Sequence, residues 1–199
     1  DFSFAHYKRG YCQMKLKNNQ AALADFEIAI EQNPSYMLAF LNRANVYFSM
    51  KEFEKAIEDY TRAIHLDPQQ DNALLSRGLA YGNLKKYKEA LSDYSRAIGL
   101  NPESLLAHNY RGLIHSKMKK FEEAIQDFNK VISINPDAPD AYNNRGIAHF
   151  SLKMYKEAVE DYTKAIQFNN HSASLYFNRA NCHYYLKNFV EAIVDFDKA

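Results

Sequence analysis

Apolar residues along this chain keep helical spacing, break off, and resume at the same spacing. Phe40, Ala44 and Tyr47 stand four and three residues apart, and Ala56, Tyr60 and Ala63 repeat that spacing after a polar break at Lys51-Glu52. Each trio falls on one face of a 3.6-residue turn. Asp67-Pro68 closes the second segment, because the residue before proline is disfavoured in the α region. The pattern predicts an αα-hairpin, two antiparallel helices joined by a tight turn. Strand-like alternation is absent.

The hairpin recurs. Gly10, Ala44, Gly78, Gly112, Gly146 and Ala180 stand 34 residues apart, and so do the aromatic residues Phe26, Tyr60, Tyr94, Phe128, Tyr162 and Phe196. Ala22, Ala56, Ala90, Ala124, Ala158 and Ala192 hold the same interval, as do Pro34, Pro68, Pro102 and Pro136. A fixed period of this size marks a solenoid, whose units bury their apolar faces only against neighbours. Numbering each unit from 1 to 34 gives repeats 3–36, 37–70, 71–104, 105–138, 139–172 and a truncated 173–199, together one array. Facing helices juxtapose positions whose numbers add to a near-constant. The minimal side chain at position 8 therefore makes room for the aromatic ring at 24.

The series Phe40, Ala44, Tyr47, Ala56, Tyr60, Ala63 and Pro68 resembles the tetratricopeptide repeat, and the resemblance runs through essentially the whole chain. It implies an all-α fold, a right-handed superhelical α-solenoid of antiparallel helix pairs, with first helices lining a concave groove. Asn19 at position 17 and Asn170 at position 32 depart from the pattern of the other units.

Charge adds one structural expectation. Arg9, Arg43, Arg77, Arg111, Arg145 and Arg179 all occupy position 7, and Asp25, Asp59, Asp93, Asp127, Asp161 and Asp195 all occupy position 23. The two positions stand at similar height on facing helices, so a row of structural ion pairs is expected, within a hairpin or between neighbours. The competing arrangement pairs each Asp with the basic residue three places on, such as Arg62 or Lys164.

The resemblance implies that positions 2, 5, 6, 9, 12 and 13 face the groove. They carry amides (Asn42, Asn45, Asn109, Asn143, Asn144, Asn178, Asn181) and aromatic rings (Tyr7, Tyr11, Phe48, Tyr110, Phe150, Phe177, Tyr184). Amides donate and accept, so they pair with a peptide backbone of any sequence, and rings add contact area. The two-carboxylate clamp of some chaperone-binding tetratricopeptide domains needs basic residues that Tyr7, Asn72 and Ser76 do not supply, and no other register fits. Chaperone tails of that kind are not expected as partners.

Catalytic candidates are weak. His115, His149 and His183 share position 11, a core-facing slot, too far apart in successive hairpins for one zinc ion. Buried and neutral, they would loosen the last three repeats on protonation below about pH 6. Cys12 and Cys182 share position 10 and read as small buried hydrophobes. No phosphate loop or recurring nucleophile–base pair stands out, so no catalytic, metal or cofactor site is expected.

Net charge of +1 with 25 basic and 24 acidic side chains gives no global field for nucleic acid or anionic lipid. No apolar run reaches the roughly 20 residues of a membrane span. Neither partner is expected. Two cysteines without paired spacing suit a reducing, cytoplasmic setting. The start Asp1-Phe2-Ser3-Phe4 has no initiator Met or signal pattern, so the chain reads as an excerpt of a longer protein. The expected function is a non-catalytic scaffold that holds an extended peptide or helix of a partner protein. Two rivals stand beside it, a targeting array of a larger enzyme such as a glycosyltransferase and an architectural segment of a cytoskeletal or ciliary assembly. The truncated sixth repeat, with Ile193 and Phe196 partly uncovered, also leaves an end open to end-to-end self-association.

Overall fold

A computed structural model describes residues 2–199. Among the described residues there are twelve α-helices and no strand, and no helix is long and apolar enough to cross a membrane. Two compact units divide the chain, one ending at Pro102 and the other running Glu103–Ala199. The first unit holds α1 (Phe2–Lys15), α2 (Asn19–Gln32), α3 (Met37–Ser49), α4 (Phe53–Leu66), α5 (Asp71–Asn83) and α6 (Tyr87–Leu100). The second holds α7 (Leu105–Lys117), α8 (Phe121–Ile134), α9 (Pro139–Ser151), α10 (Tyr155–Phe168), α11 (Ala173–Tyr185) and α12 (Phe189–Lys198).

Within each unit the helices pack as consecutive hairpins. In the first, α1 packs on α2, α3 on α4 and α5 on α6, while α2–α3 and α4–α5 join neighbouring hairpins. The second unit repeats the scheme with α7/α8, α9/α10 and α11/α12, joined through α8–α9 and α10–α11. The core is accordingly a series of local clusters that bridge hairpins. Tyr7, Ala22, Phe26 and Ala29 pack with Ala39 and Val46 of the next pair, and Ala158, Tyr162 and Ala165 pack with Leu175 and Cys182. Position 10 thus faces the preceding second helix. Among the described residues no helix covers that side of α1, so Cys12 is exposed where burial was expected, whereas Cys182 is buried. Burial pushes the Cys182 thiol up to about 12.

Glycine at position 8 brings the aromatic ring hard against the helix. A Cβ on Gly78 would stand 2.6 Å from Cε1 of Tyr94, and one on Gly112 would stand 2.8 Å from Cε1 of Phe128. Both rings are fully buried.

Each first helix ends in the same way. Lys17, Lys51, Lys85, Lys119, Lys153 and Lys187 adopt left-handed backbone, with φ between 58° and 63°. Lys51 N–H donates to the Phe48 carbonyl and Glu52 N–H to the Tyr47 carbonyl, both at 2.9 Å, and the same two bonds close all six turns. This is a Schellman closure, which satisfies carbonyls left over at the helix end. Lysine there costs about 1–2 kcal/mol of backbone strain that glycine would avoid. Between hairpins, the Asn33, Asp67 and Asn135 side chains accept the N–H two residues on, at 3.1 Å, and turn the chain into the next helix.

Candidate functional site

The position-7 arginines and position-23 aspartates meet inside their own hairpins. The closest N–O distances run from 2.5 to 2.7 Å across all six pairs. Each is forked; Arg43, for example, donates from Nε to Oδ2 of Asp59 at 2.7 Å and from Nη2 to Oδ1 at 2.8 Å. The third nitrogen of several guanidinium groups reaches back to position 25 of the preceding hairpin. Arg77 donates from Nη1 to Thr61 at 2.9 Å, Arg145 to Asn129 at 2.6 Å and Arg179 to Thr163 at 3.0 Å. One arginine therefore ties three helices together. Arg9, with no such neighbour, leaves 63% of its side chain exposed against 16% for Arg77. The basic residues three places beyond Asp go elsewhere: Arg96 donates to the Pro68 carbonyl, and Lys130 pairs with Glu103.

Two of the position-11 histidines join this network. Nδ1 of His115 lies 3.1 Å from Asp127 and Nδ1 of His149 lies 2.8 Å from Asp161. Both rings are therefore held by a carboxylate of the ion-pair row and do not stand alone in an apolar slot. His183 differs, because its buried Nδ1 has no partner. Burial pushes the Asp127 carboxyl up, but hydrogen bonds from His115, Arg111 and His108 outweigh it, leaving the group below the usual carboxylate range. The Arg9 hydrogen bond likewise holds Asp25 low. These are structural contacts. Two open concavities lie against them, one of about 380 Å³ at Phe40, Arg43, Asp59 and His65 and one of about 430 Å³ at Tyr142, Arg145, Asp161 and Lys164.

The groove residues divide by unit. In the first unit the polar groups are largely consumed by packing. Asn42 is buried and donates to Tyr7 Oη at 3.3 Å and to the Leu38 carbonyl at 2.9 Å. Tyr7 is itself buried, so neither it nor Asn42 offers itself to a groove ligand. Asn45 accepts from Tyr60 Oη at 2.7 Å, and burial pushes the Tyr60 hydroxyl up to about 12. Phe48 is half-buried and edge-on to Phe53, while Tyr11 keeps an exposed edge.

The second unit keeps its groups available. Asn144 and Asn178 are half-buried and, among the described residues, make no side-chain hydrogen bond. Asn181 donates to the Phe177 carbonyl at 2.9 Å, which leaves its oxygen as a free acceptor. Two adjoining concavities lie on this face. One of about 250 Å³ is lined by Leu113, Ser116, Lys117, Phe121, Asn144 and Ile147. The other, about 140 Å³, is lined by Ile147, Phe150, Tyr162, Asn178 and Asn181. Ile147 is the wall between them. Phe150 is held edge-on by Tyr155 and Tyr185, so it lines its pocket with a fixed ring. Asn109, Tyr110 and Asn143 are half-buried outside both concavities, and Phe177 and Tyr184 stand exposed. Sequence spacing had no means of separating Asn144 from Asn42, since both occupy position 6.

The tetratricopeptide repeat pattern matches residues 3–36, 38–70, 72–104, 106–138 and 139–172. The chain belongs to the tetratricopeptide repeat family. Tetratricopeptide arrays serve as scaffolds for protein–protein interaction, and that general role extends to this one. No curated protein matches the chain. Among solved structures, a tetratricopeptide repeat protein from Parabacteroides merdae superposes with a TM-score of 0.85 at 21% identity, over 98% of this chain and 78% of the other. MamA gives 0.81 at 23% identity over 87% of this chain and 94% of its own. YrrB, described as a tetratricopeptide protein with an unusual peptide-binding site, gives 0.76 at 24% identity over 87% and 89%. At these identities the likeness is one of fold.

Proposed function

We propose that this tetratricopeptide array is a non-catalytic scaffold, six repeats with 173–199 as the last, which holds an extended segment of a partner protein on the face of α7, α9 and α11. One observation carries the reading. The uncommitted amides of Asn144 and Asn178 flank two apolar concavities that share the Ile147 wall. An extended strand seats alternate side chains in pockets while its backbone bonds to amides between them. Lys117 is the one cation lining these pockets, which favours a neutral segment over a doubly carboxylated chaperone tail. The free thiols of Cys12 and Cys182 suit a reducing, cytoplasmic setting.

The test begins with extended peptides selected on the wild-type protein from a displayed random library. Asn144→Ala/Asn178→Ala/Asn181→Ala is expected to weaken those peptides by about tenfold or more while the thermal midpoint holds. Selected peptides that bind the variant as tightly as the parent would move the site off this face.

A further inference from the structure

The six lysines that close the first helices are not explained by the fold. All six adopt left-handed backbone, and all six side chains are exposed. Among the described residues none of them is in an ion pair; the lysine pairs that form use Lys55, Lys120 and Lys130 instead. Glycine would close the same turn without strain, so retention of lysine at every turn points to the ammonium group.

Stacking gathers these groups. In the first unit the turns at 15–20, 49–55 and 83–89 lie at one end of the helices, and together they hold seven lysines, three glutamates and no arginine. The loops at the opposite end, 31–37 and 66–71, carry Glu31, Asp67 and Asp71 and no Lys or Arg. A net charge of +1 conceals this separation. The corresponding turns of the second unit hold six lysines against four glutamates, a weaker excess.

We propose that the lysine edge of the first unit, centred on Lys17, Lys51 and Lys85, is a docking surface for an acidic segment of a partner protein. Turns of successive hairpins stand on the order of 10 Å apart, the packing distance of neighbouring helices. A polyproline II segment rises roughly 9 Å in each three-residue turn, so carboxylates at every third position lie on one face and match the lysines. Glu52, Glu54 and Glu89 interrupt the cations and oppose a continuous row of phosphates. The edge offers no guanidinium fork for phosphate, and its rings, Phe53 and Tyr87, are half-buried and give no stacking platform. These features favour a peptide over nucleic acid or a lipid surface.

The experiment measures binding of a synthetic peptide with glutamate at every third residue and neutral residues between, by fluorescence anisotropy at low salt on the full chain. Lys17→Asn/Lys51→Asn/Lys85→Asn removes the charge while asparagine tolerates the left-handed turn. It is expected to weaken binding about tenfold or more, with a smaller loss for Lys119→Asn/Lys153→Asn/Lys187→Asn. Lys86→Glu/Lys88→Glu, which leaves all six left-handed residues unchanged, is expected to give the same loss. Unchanged binding by the first-unit variants overturns the proposal. So does equal binding of a peptide with its glutamates contiguous, or tighter binding of single-stranded nucleic acid or phosphatidylserine vesicles.

Discussion

Glycine at position 8 and glycine elsewhere are opposite cases. At Gly78 the Tyr94 ring occupies the space a methyl group would need, 2.6 Å from the missing Cβ, and the ring is locked in the core. Helix propensity favours alanine by about 0.8–1.0 kcal/mol, but overpacking costs about 1–3 kcal/mol, and the overpacking wins. Gly78→Ala is expected to destabilise by up to about 2 kcal/mol. Gly99, with nothing within 4 Å of its missing Cβ, has only the propensity to gain. Gly99→Ala is expected to stabilise by about 0.5–1 kcal/mol. Thermal and urea denaturation of the pair decide it, and shifts of the same sign would refute the packing account. The sequence shows both as glycines; only the neighbour across the gap separates them.

Between helices, arginine does work that lysine would not. Arg77 holds Asp93 with Nε and Nη2 while Nη1 reaches Thr61 on the preceding hairpin. A single ammonium has no such fork. Arg77→Lys is expected to cost about 1–2 kcal/mol, chiefly through the lost tie to α4. Arg9→Lys, at the exposed pair without a preceding partner, is expected to shift the urea midpoint less. Equal shifts would mean that the inter-hairpin bond contributes nothing. Sixfold Arg and Asp at fixed positions made the pairing legible, but the third contact was not, because Thr61, Asn129 and Thr163 share a position and not a residue type. The Schellman turns were invisible for a related reason: lysine gives no signal for left-handed backbone, and the six bond pairs exist only once the helix ends are placed.

At the scale of the whole molecule, acid acts through the buried carboxylates. Asp25 and Asp127 are both held below the usual carboxylate range. A depressed group contributes stability above its unfolded value of 3.8 and loses it as pH falls through the lower folded value. The urea midpoint is therefore expected to hold from pH 7 to about 5 and to fall below about pH 4. Asp127→Asn is expected to lower the midpoint at pH 7 and make the acid decline shallower; a midpoint that drops instead through pH 6 would return the role to the histidines. The 34-residue period, the hairpins and the small-against-aromatic packing were written in the sequence, since each depends on residue type at short spacing and is enforced six times over. The identity of the free amides was not. Asn42 and Asn144 are the same residue at the same position, yet one is spent on Tyr7 and Leu38 while the other faces an open pocket. The lysine edge was hidden in the same way. Its members stand 34 residues apart in the chain and become neighbours only through stacking, because solvent exposure, hydrogen-bond partners and local charge depend on distances in space that no linear spacing records.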